Sequence, residues 1–174
     1  AVLGLNCFAV RATFFDKVPG ANWKLRYHQD SVISVRERIE TPGFTAWSTK
    51  AGVLQVRPPV EVLNEMLAVR VHLDVCKKSN GPLRILAGSH TTRWAREEIS
   101  QCKSKFREVT CEVSAGGALV MRPLVLHASS PSDEPCHRRV IHIEFANAEL
   151  PGQLEWQNRW GSTLGAVPAS PNCE

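Results

Sequence analysis

The chain has 174 residues and a composition ordinary for a soluble globular protein, which predicts one domain that can bury its own core. Its formal net charge is only +4 and its basic residues are scattered, so nucleic-acid binding has little support and we expect a small-molecule partner. No apolar run approaches the ~20 residues of a membrane span, and no secretory signal pattern is visible. We therefore expect no membrane partner and an intracellular, cytoplasmic location.

The six cysteines form no C-x-x-C pair, which argues against a zinc ribbon or a thioredoxin-type site. The chain is long enough to fold without disulfide crosslinks, so we expect reduced thiols. The chain opens with Ala1 in an apolar run, which is typical of a processed or trimmed product.

Short segments rich in Val, Ile, Phe and Thr alternate with turn-forming Gly, Pro and Asn, a pattern typical of all-β domains. In chain order, strands are predicted over 5–15, 25–35, 67–75, 83–86, 107–113, 118–121, 124–127 and 138–145. Helices are predicted over 59–65 and 92–103, and a loop over 48–59. This pattern predicts an all-β-dominated double-stranded β-helix, or jelly roll, with few flanking helices. We expect a single domain over 1–174, with a core of about 5–146 and a C-terminal extension over 147–174.

An H-x-D pair lies in the second predicted strand, where His28 and Asp30 share one face because side chains alternate along a strand. His127 lies far downstream, at the end of another predicted strand. Two imidazoles and one carboxylate can occupy one face of an octahedral metal and leave three positions open, which is the ligand set of non-haem Fe(II) oxygenases. The open positions can take a bidentate co-substrate and O2. We therefore predict that His28, Asp30 and His127 are metal ligands and catalytic residues.

A second H-x-D pair, His72 and Asp74, shows how weak this motif is by itself. It lies on the polar face of the strand over 67–75, whose other face is wholly apolar. A solvated or hydrogen-bonded polar face explains the second pair without a metal. The first pair is favoured because Trp23 and Tyr27 flank it and could form an aromatic pocket wall.

Two arginines follow His127 by eleven and twelve residues, and either could bind a co-substrate carboxylate through a bidentate guanidinium contact. Arg139 shares a strand face with three large apolar residues, so periodicity slightly favours it over Arg138 as the inward side chain. Ser129 could add a hydroxyl contact, although a plain turn serine is the simpler interpretation. Lys17 and Arg26 are more simply explained as solvated charges than as contacts to an anionic substrate.

Five motifs, in this order and spacing, resemble the phytanoyl-CoA dioxygenase family over about residues 8–145. They are Asn22-Trp23 with Tyr27-His28-Gln29-Asp30, then Asn80-Gly81-Pro82-Leu83, Gly88-Ser89-His90, His127-Ala128-Ser129 and Arg138-Arg139. The resemblance implies a double-stranded β-helix that uses Fe(II), O2 and 2-oxoglutarate, with His28, Asp30 and His127 as ligands. It implies that Arg138, ahead of Arg139, binds 2-oxoglutarate.

The resemblance also places Trp47, one residue off in spacing, and Thr13 near the co-substrate pocket. Two departures are Tyr27, where the family often has Trp, and Ala87, where it has Pro. Neither touches a ligand position. Halogenating relatives replace the carboxylate ligand with a small residue, whereas Asp30 is present here, so the resemblance implies hydroxylation.

The expected function is a 2-oxoglutarate-dependent dioxygenase, an oxidoreductase that hydroxylates a small molecule and releases succinate and CO2. Two alternatives remain open at this point. One is a cupin-like metal enzyme that uses no 2-oxoglutarate, and the other is a catalytically inactive jelly-roll binding protein. Neither alternative needs the H-x-D pair, the distal histidine and the arginine together.

Overall fold

The computed structural model describes residues 3–4 and 6–161. Its strands are β1 (Phe8–Asp16), β2 (Leu25–His28), β3 (Ile33–Ser34), β4 (Thr45–Lys50), β5 (Val53–Arg57), β6 (Met66–His72), β7 (Leu83–Leu86), β8 (Glu108–Cys111), β9 (Ala118–Met121), β10 (His127–Ser129) and β11 (Arg139–Ala146). Two short α-helices, α1 (Val60–Asn64) and α2 (Ile99–Lys105), complete the regular structure together with two single 3₁₀ turns. In this described part, no helix is both long enough and apolar enough to cross a membrane.

The strands form a jelly roll, as predicted. The first sheet has the order β1-β11-β6-β9 and the second has the order β2-β10-β7-β8, with every pairing antiparallel. A third sheet, β3-β5-β4, extends the fold to one side. Apolar side chains from both main sheets meet between them, including Ala68 and Met121 from the first sheet and Leu83 from the second. This packing joins the two sheets into one barrel.

The largest apolar core lies beside the barrel, between the first sheet, the third sheet and the chain after β11. Phe8, Val35, Val56 and Trp156 are among its buried members. The indole of Trp156 meets the Phe8 ring edge-on and donates a hydrogen bond to the carbonyl of Ala148. This core secures the start of the predicted C-terminal extension, whose residues 162–174 lie outside the described part of the chain.

Side chains on β6 and β11 face the opposite way from what their apolar pattern suggests. Arg70 and His72 of β6 are buried inside the barrel, whereas Leu73, just past the strand, is exposed. On β11 the buried series begins at Val140 and continues with His142 and Glu144, so Arg139 lies on the opposite, outer face. The prediction that Arg139 points inward was therefore wrong, because on these strands the inner face is the one that carries the polar residues.

Most predicted elements occur within a few residues of their expected positions. The segments 83–86 and 118–121 match β7 and β9, and the helix over 59–65 contains α1. The segment 48–59 is not a loop, since it holds all of β5 and the end of β4. The longer helix begins only at Ile99, because the stretch before it is held against Gln29, as described below.

Candidate active site

His28 and His127 meet because they are direct partners across the antiparallel pair of β2 and β10. Their ring centroids lie 4.2 Å apart. The Nε2 atom of His28 lies 3.7 Å from Oδ1 of Asp30, and Nε2 of His127 lies 3.7 Å from Oδ2 of the same carboxylate. One ligand atom from each residue lies within 4.8 Å of the others, and this is the one such three-residue cluster among residues 3–4 and 6–161. The arrangement can coordinate a single metal ion.

Each histidine is oriented by a backbone carbonyl two residues before it. Nδ1 of His28 lies 2.9 Å from the carbonyl oxygen of Arg26, and Nδ1 of His127 lies 2.9 Å from that of Val125. A carbonyl oxygen can only accept, so Nδ1 carries a proton in both rings, and Nε2 is the nitrogen left to bind a metal. Burial lowers the pKa of His127 to about 4 against the opposing effect of Asp30. His127 is therefore neutral near pH 7, as a metal-ligating imidazole must be.

Gln29, between the two ligands of the H-x-D pair, connects this loop to the rest of the site. Its amide nitrogen donates to the carbonyls of Thr92 and Leu124, and its amide oxygen accepts the backbone N–H of Trp94 at 2.9 Å. The backbone N–H of Asp30 donates to the carbonyl of Pro123 at 3.0 Å. These contacts fix the carboxylate relative to the chain that leads into His127.

Three basic side chains are buried inside the barrel. Lys17 has an exposed fraction of 0%, Arg138 of 4% and Arg70 of 8%. Lys17 donates to the carbonyl of Ser130, and its Nζ lies 3.4 Å from Oγ of buried Ser129. The interpretation of Lys17 as a solvated surface charge was therefore wrong, because the chain turns inward after β1 and packs this side chain behind Ser129.

These buried cations perturb one another. The pKa of Lys17 is lowered to about 8 and that of Arg70 to about 10. Burial is the larger cause in both cases, and the neighbouring charge of Arg138 is the second. Burial also lowers the pKa of Arg138. Within the described part of the chain, none of the three has a carboxylate at ion-pair distance, although the charge of Asp30 acts favourably on Arg70. Uncompensated buried charge is costly, so the interior of the barrel is suited to a small anion.

Several buried nitrogen atoms here have no hydrogen-bond partner within residues 3–4 and 6–161. They are Nε of Arg70, Nε of Arg138 and both ring nitrogens of His72. Arg138 uses Nη1 to donate to the carbonyl of Gly81. The pKa of His72 is lowered to about 4 by burial and by Arg70 and Arg138. Buried polar atoms without partners are rare in folded proteins, and here they lie among the buried cations.

A polar row crosses the inner face of the first sheet from β1 to β6. Nη1 of Arg70 lies 3.0 Å from Nδ1 of His142, which must accept because a guanidinium only donates. Glu144 lies 3.6 Å from Nε2 of His142 and 3.5 Å from Arg11. Thr13 of β1 is the direct cross-strand partner of His142 and therefore shares this inner face.

Arg139 is occupied elsewhere. Its guanidinium and backbone N–H make three hydrogen bonds to the carboxylate of Asp74, and the side chain is exposed. This contact lowers the pKa of Asp74 to about 2. The second H-x-D pair is thereby divided, since Asp74 forms a surface ion pair while His72 lies inside the barrel.

Trp47 lies on β4 of the third sheet, half-buried against the large apolar core. The guanidinium of Arg38 lies 5.4 Å from its ring centroid, and its indole N–H is buried without a hydrogen-bond partner. A role for Trp47 at the co-substrate pocket stays a prediction.

An open groove of about 1470 Å³ runs along the edge of the second sheet and over the start of α2. His28 lines it, so one metal ligand borders this space directly. Seven further lining residues are basic, namely Lys24, Arg26, Arg57, Arg84, Arg93, Arg96 and Lys103, and no lining residue is acidic. Sequence reasoning missed this groove because its cations come from separate segments that only the fold brings together.

The model of the phytanoyl-CoA dioxygenase family matches residues 2–140. A comparison with curated protein sequences found no match.

Solved structures share the fold at low sequence identity. AviO1 from Streptomyces viridochromogenes Tue57 is 20% identical with a TM-score of 0.57, over 84% of this chain and 53% of its own. EctD from S. alaskensis, solved with 2-oxoglutarate and 5-hydroxyectoine, is 17% identical with a TM-score of 0.60, over 83% and 45%. SnoK, a non-haem α-ketoglutarate-dependent carbocyclase from nogalamycin biosynthesis, is 14% identical with a TM-score of 0.57, over 84% and 52%. The chain thus spans about half the length of these structures.

Proposed function

This chain belongs to the phytanoyl-CoA dioxygenase family, and from that membership we propose that it is an Fe(II)- and 2-oxoglutarate-dependent dioxygenase that hydroxylates a small molecule. The observation that carries the proposal is the juxtaposition of a His-Asp-His cluster with buried, uncompensated cations. The cluster suits Fe(II), and the cations suit the two carboxylates of 2-oxoglutarate.

The donor set fits Fe(II) on chemical grounds. His28 and His127 would each present a neutral Nε2, and Asp30 would present one carboxylate, which leaves open coordination positions. When bound, the metal together with 2-oxoglutarate and O2 supplies the oxidising chemistry, in which decarboxylation to succinate and CO2 accompanies hydroxylation of a C–H bond.

The residues inside the barrel would position the co-substrate. Arg138 would hold its distal carboxylate through the guanidinium, whose Nε has no partner among the described residues. Lys17 and Ser129 lie together in the interior and would add a charge and a hydroxyl contact, with Thr13 on the neighbouring sheet face. A contact from Trp47, which lies on the third sheet, is part of the proposal through the family resemblance alone. Arg139 is bound to Asp74 and has no part in this proposal.

The same cations weigh against the two alternatives. A metal enzyme that uses no anionic co-substrate gains nothing from burying Lys17 and Arg138 without carboxylate partners. A purely structural barrel would be more stable with apolar side chains at these positions.

The proposal is tested by succinate formation from 2-oxoglutarate in air with added Fe(II), first without any substrate. Wild-type protein should form succinate at a slow, uncoupled rate that depends on iron, and Asp30→Ala should abolish it. The matched control is Asp74→Ala, which removes the carboxylate of the second H-x-D pair and should keep the wild-type rate. Iron-dependent succinate formation that survives in Asp30→Ala, or that is missing from the wild type, would contradict the proposal.

A further inference from the structure

The groove beside the metal ligands has an unusually one-sided charge. Among the described residues, it is lined by seven Lys and Arg side chains and by no carboxylate. The formal net charge of the whole chain is only +4. Within the described residues, Arg84 is the one member of this set in an ion pair, at 3.4 Å from Glu108. A concave surface lined by one sign of charge concentrates the field and raises the local concentration of counter-ions.

The acidic groups near the groove leave most of this charge unbalanced. Glu108 accepts a hydrogen bond from Tyr27 as well as pairing with Arg84, so it is fully engaged at one wall. Glu61 acts favourably on Arg93, but less strongly than burial and the nearby charge of Arg57 act against it. Burial and, to a smaller extent, the charge of Arg57 therefore lower the pKa of Arg93.

Arg93 is itself fixed in position. Its Nη2 donates to the carbonyl of Pro58 at 2.6 Å, while its Nε is buried with no partner. The ring of Tyr27, which also lines the groove, has Arg84 at 5.7 Å and Lys103 at 5.2 Å from its centroid. These contacts restrict the side chains of Arg93, Arg84 and Lys103, which lowers the entropic cost of binding an anion.

The groove also borders the proposed catalytic centre. His28 lines it and has an exposed fraction of 36%, whereas Asp30 and His127 are not among its lining residues. The interior cations around Arg138 are, by contrast, almost completely buried. The groove thus meets the His-Asp-His cluster at His28.

We propose that this groove binds the substrate, and that the substrate is a small, extended molecule with more than one phosphate-type negative charge. The substrate role rests on the proposed function, whereas anion binding by the groove does not. Arg57, Arg93 and Arg96 would hold the charged end, and the part of the molecule that reaches His28 would be the part that reacts. A small molecule is favoured over a nucleic acid because the cations converge in a concave space instead of forming a stripe along a convex face.

The test uses the iron-free full chain and inorganic tripolyphosphate as the probe, with binding measured by calorimetry. Arg96→Gln/Lys103→Gln removes two groove charges, and Lys77→Gln/Lys78→Gln removes two exposed charges on another part of the surface. We expect one tripolyphosphate per chain, with about tenfold weaker binding in the groove variant and less than twofold weaker binding in the control. Arg138→Met should leave tripolyphosphate binding unchanged.

Equal weakening in both double variants would mean diffuse surface attraction and would overturn the proposal. Loss of binding in Arg138→Met alone would mean that the probe enters the interior site, which would also overturn it. A short single-stranded oligonucleotide that binds far more tightly than tripolyphosphate would show that the groove serves nucleic acid. The binding experiment uses neither iron nor 2-oxoglutarate. Its result can therefore be interpreted even if the dioxygenase assay fails.

Discussion

Replacing Arg138 with Met should make the iron-free protein more stable and at the same time abolish tight binding of 2-oxoglutarate. Arg138 is 4% exposed, has no carboxylate at ion-pair distance in the described part of the chain, and keeps an unpartnered Nε. Met matches the unbranched part of the Arg side chain and has no charge, so it would keep that part of the packing without the desolvation cost. Opposite changes in stability and affinity are expected when a residue is retained for binding rather than for folding.

The magnitudes follow from the burial of the charge. Replacing a poorly compensated buried charge by an apolar side chain stabilises a protein by about 1–4 kcal/mol, so we expect a gain of roughly 2 kcal/mol. For a chain of this size that corresponds to a rise in Tm of about 4–8 °C. The loss of a buried, charge-assisted contact to a carboxylate costs about 3 kcal/mol or more, which weakens 2-oxoglutarate binding by at least about 100-fold.

Thermal unfolding of the iron-free protein gives the first quantity, and anaerobic calorimetry with 2-oxoglutarate and Fe(II) gives the second. Arg139→Met is the matched control because it changes the adjacent residue but removes only an exposed ion pair with Asp74. It should change stability far less than Arg138→Met does and leave affinity for 2-oxoglutarate intact. A destabilised Arg138→Met variant that still binds 2-oxoglutarate normally would refute the reasoning.

Two further predictions concern the residues around the same interior site. The unfolded chain keeps Lys17 protonated up to its ordinary pKa of 10.5, whereas the folded chain releases this proton at a pKa of about 8. The unfolded state therefore binds more protons between these values, so the stability of the wild type relative to Lys17→Met should rise from pH 8 to 10.5 in denaturant titrations. A constant difference across this range would mean that Lys17 is not buried as described. Separately, Gly81 has a φ of +69°, and an added Cβ would lie 2.5 Å from the carbonyl oxygen of Ser130. Gly81→Ala should cost about 3 kcal/mol in the free energy of unfolding, whereas Gly52→Ala, with φ of +78° and open space, should cost about 1 kcal/mol. Equal costs at the two positions would show that the close approach at Gly81 is not real.

The proximity of the three proposed ligands could be expected only in part from the sequence. The H-x-D spacing predicts that His28 and Asp30 lie close together, but β2 ends at His28 and Asp30 lies in the loop after it, not on a shared strand face. The antiparallel pairing of β2 and β10 makes His28 and His127 direct partners. From the sequence, the first H-x-D pair was favoured over the second by its flanking residues and by the order of the motifs. Only the structure shows what separates His72 from Asp74, since Arg139 holds the Asp74 carboxylate on the surface.

Facing directions could not be predicted, because alternation defines two faces without saying which one is inside. The usual assumption that the apolar face is inward fails on β6 and β11, where Arg70 and His142 line the interior. Lys17 was missed for a different reason, since it follows β1 in a segment with the composition of an exposed turn. The groove combines residues as distant as Arg26 and Arg96, and no local pattern marks such a surface.

Anaerobic optical titration tests whether one Fe(II) and one 2-oxoglutarate bind together at the His-Asp-His cluster. Fe(II) is added to the protein, 2-oxoglutarate follows, and the visible metal-to-ligand charge-transfer band of the chelate is recorded. The band should appear with one equivalent of each in the wild type and be absent in His28→Ala. A wild-type protein that binds iron without giving the band would contradict joint binding at this cluster and favour a metal enzyme that does not use 2-oxoglutarate.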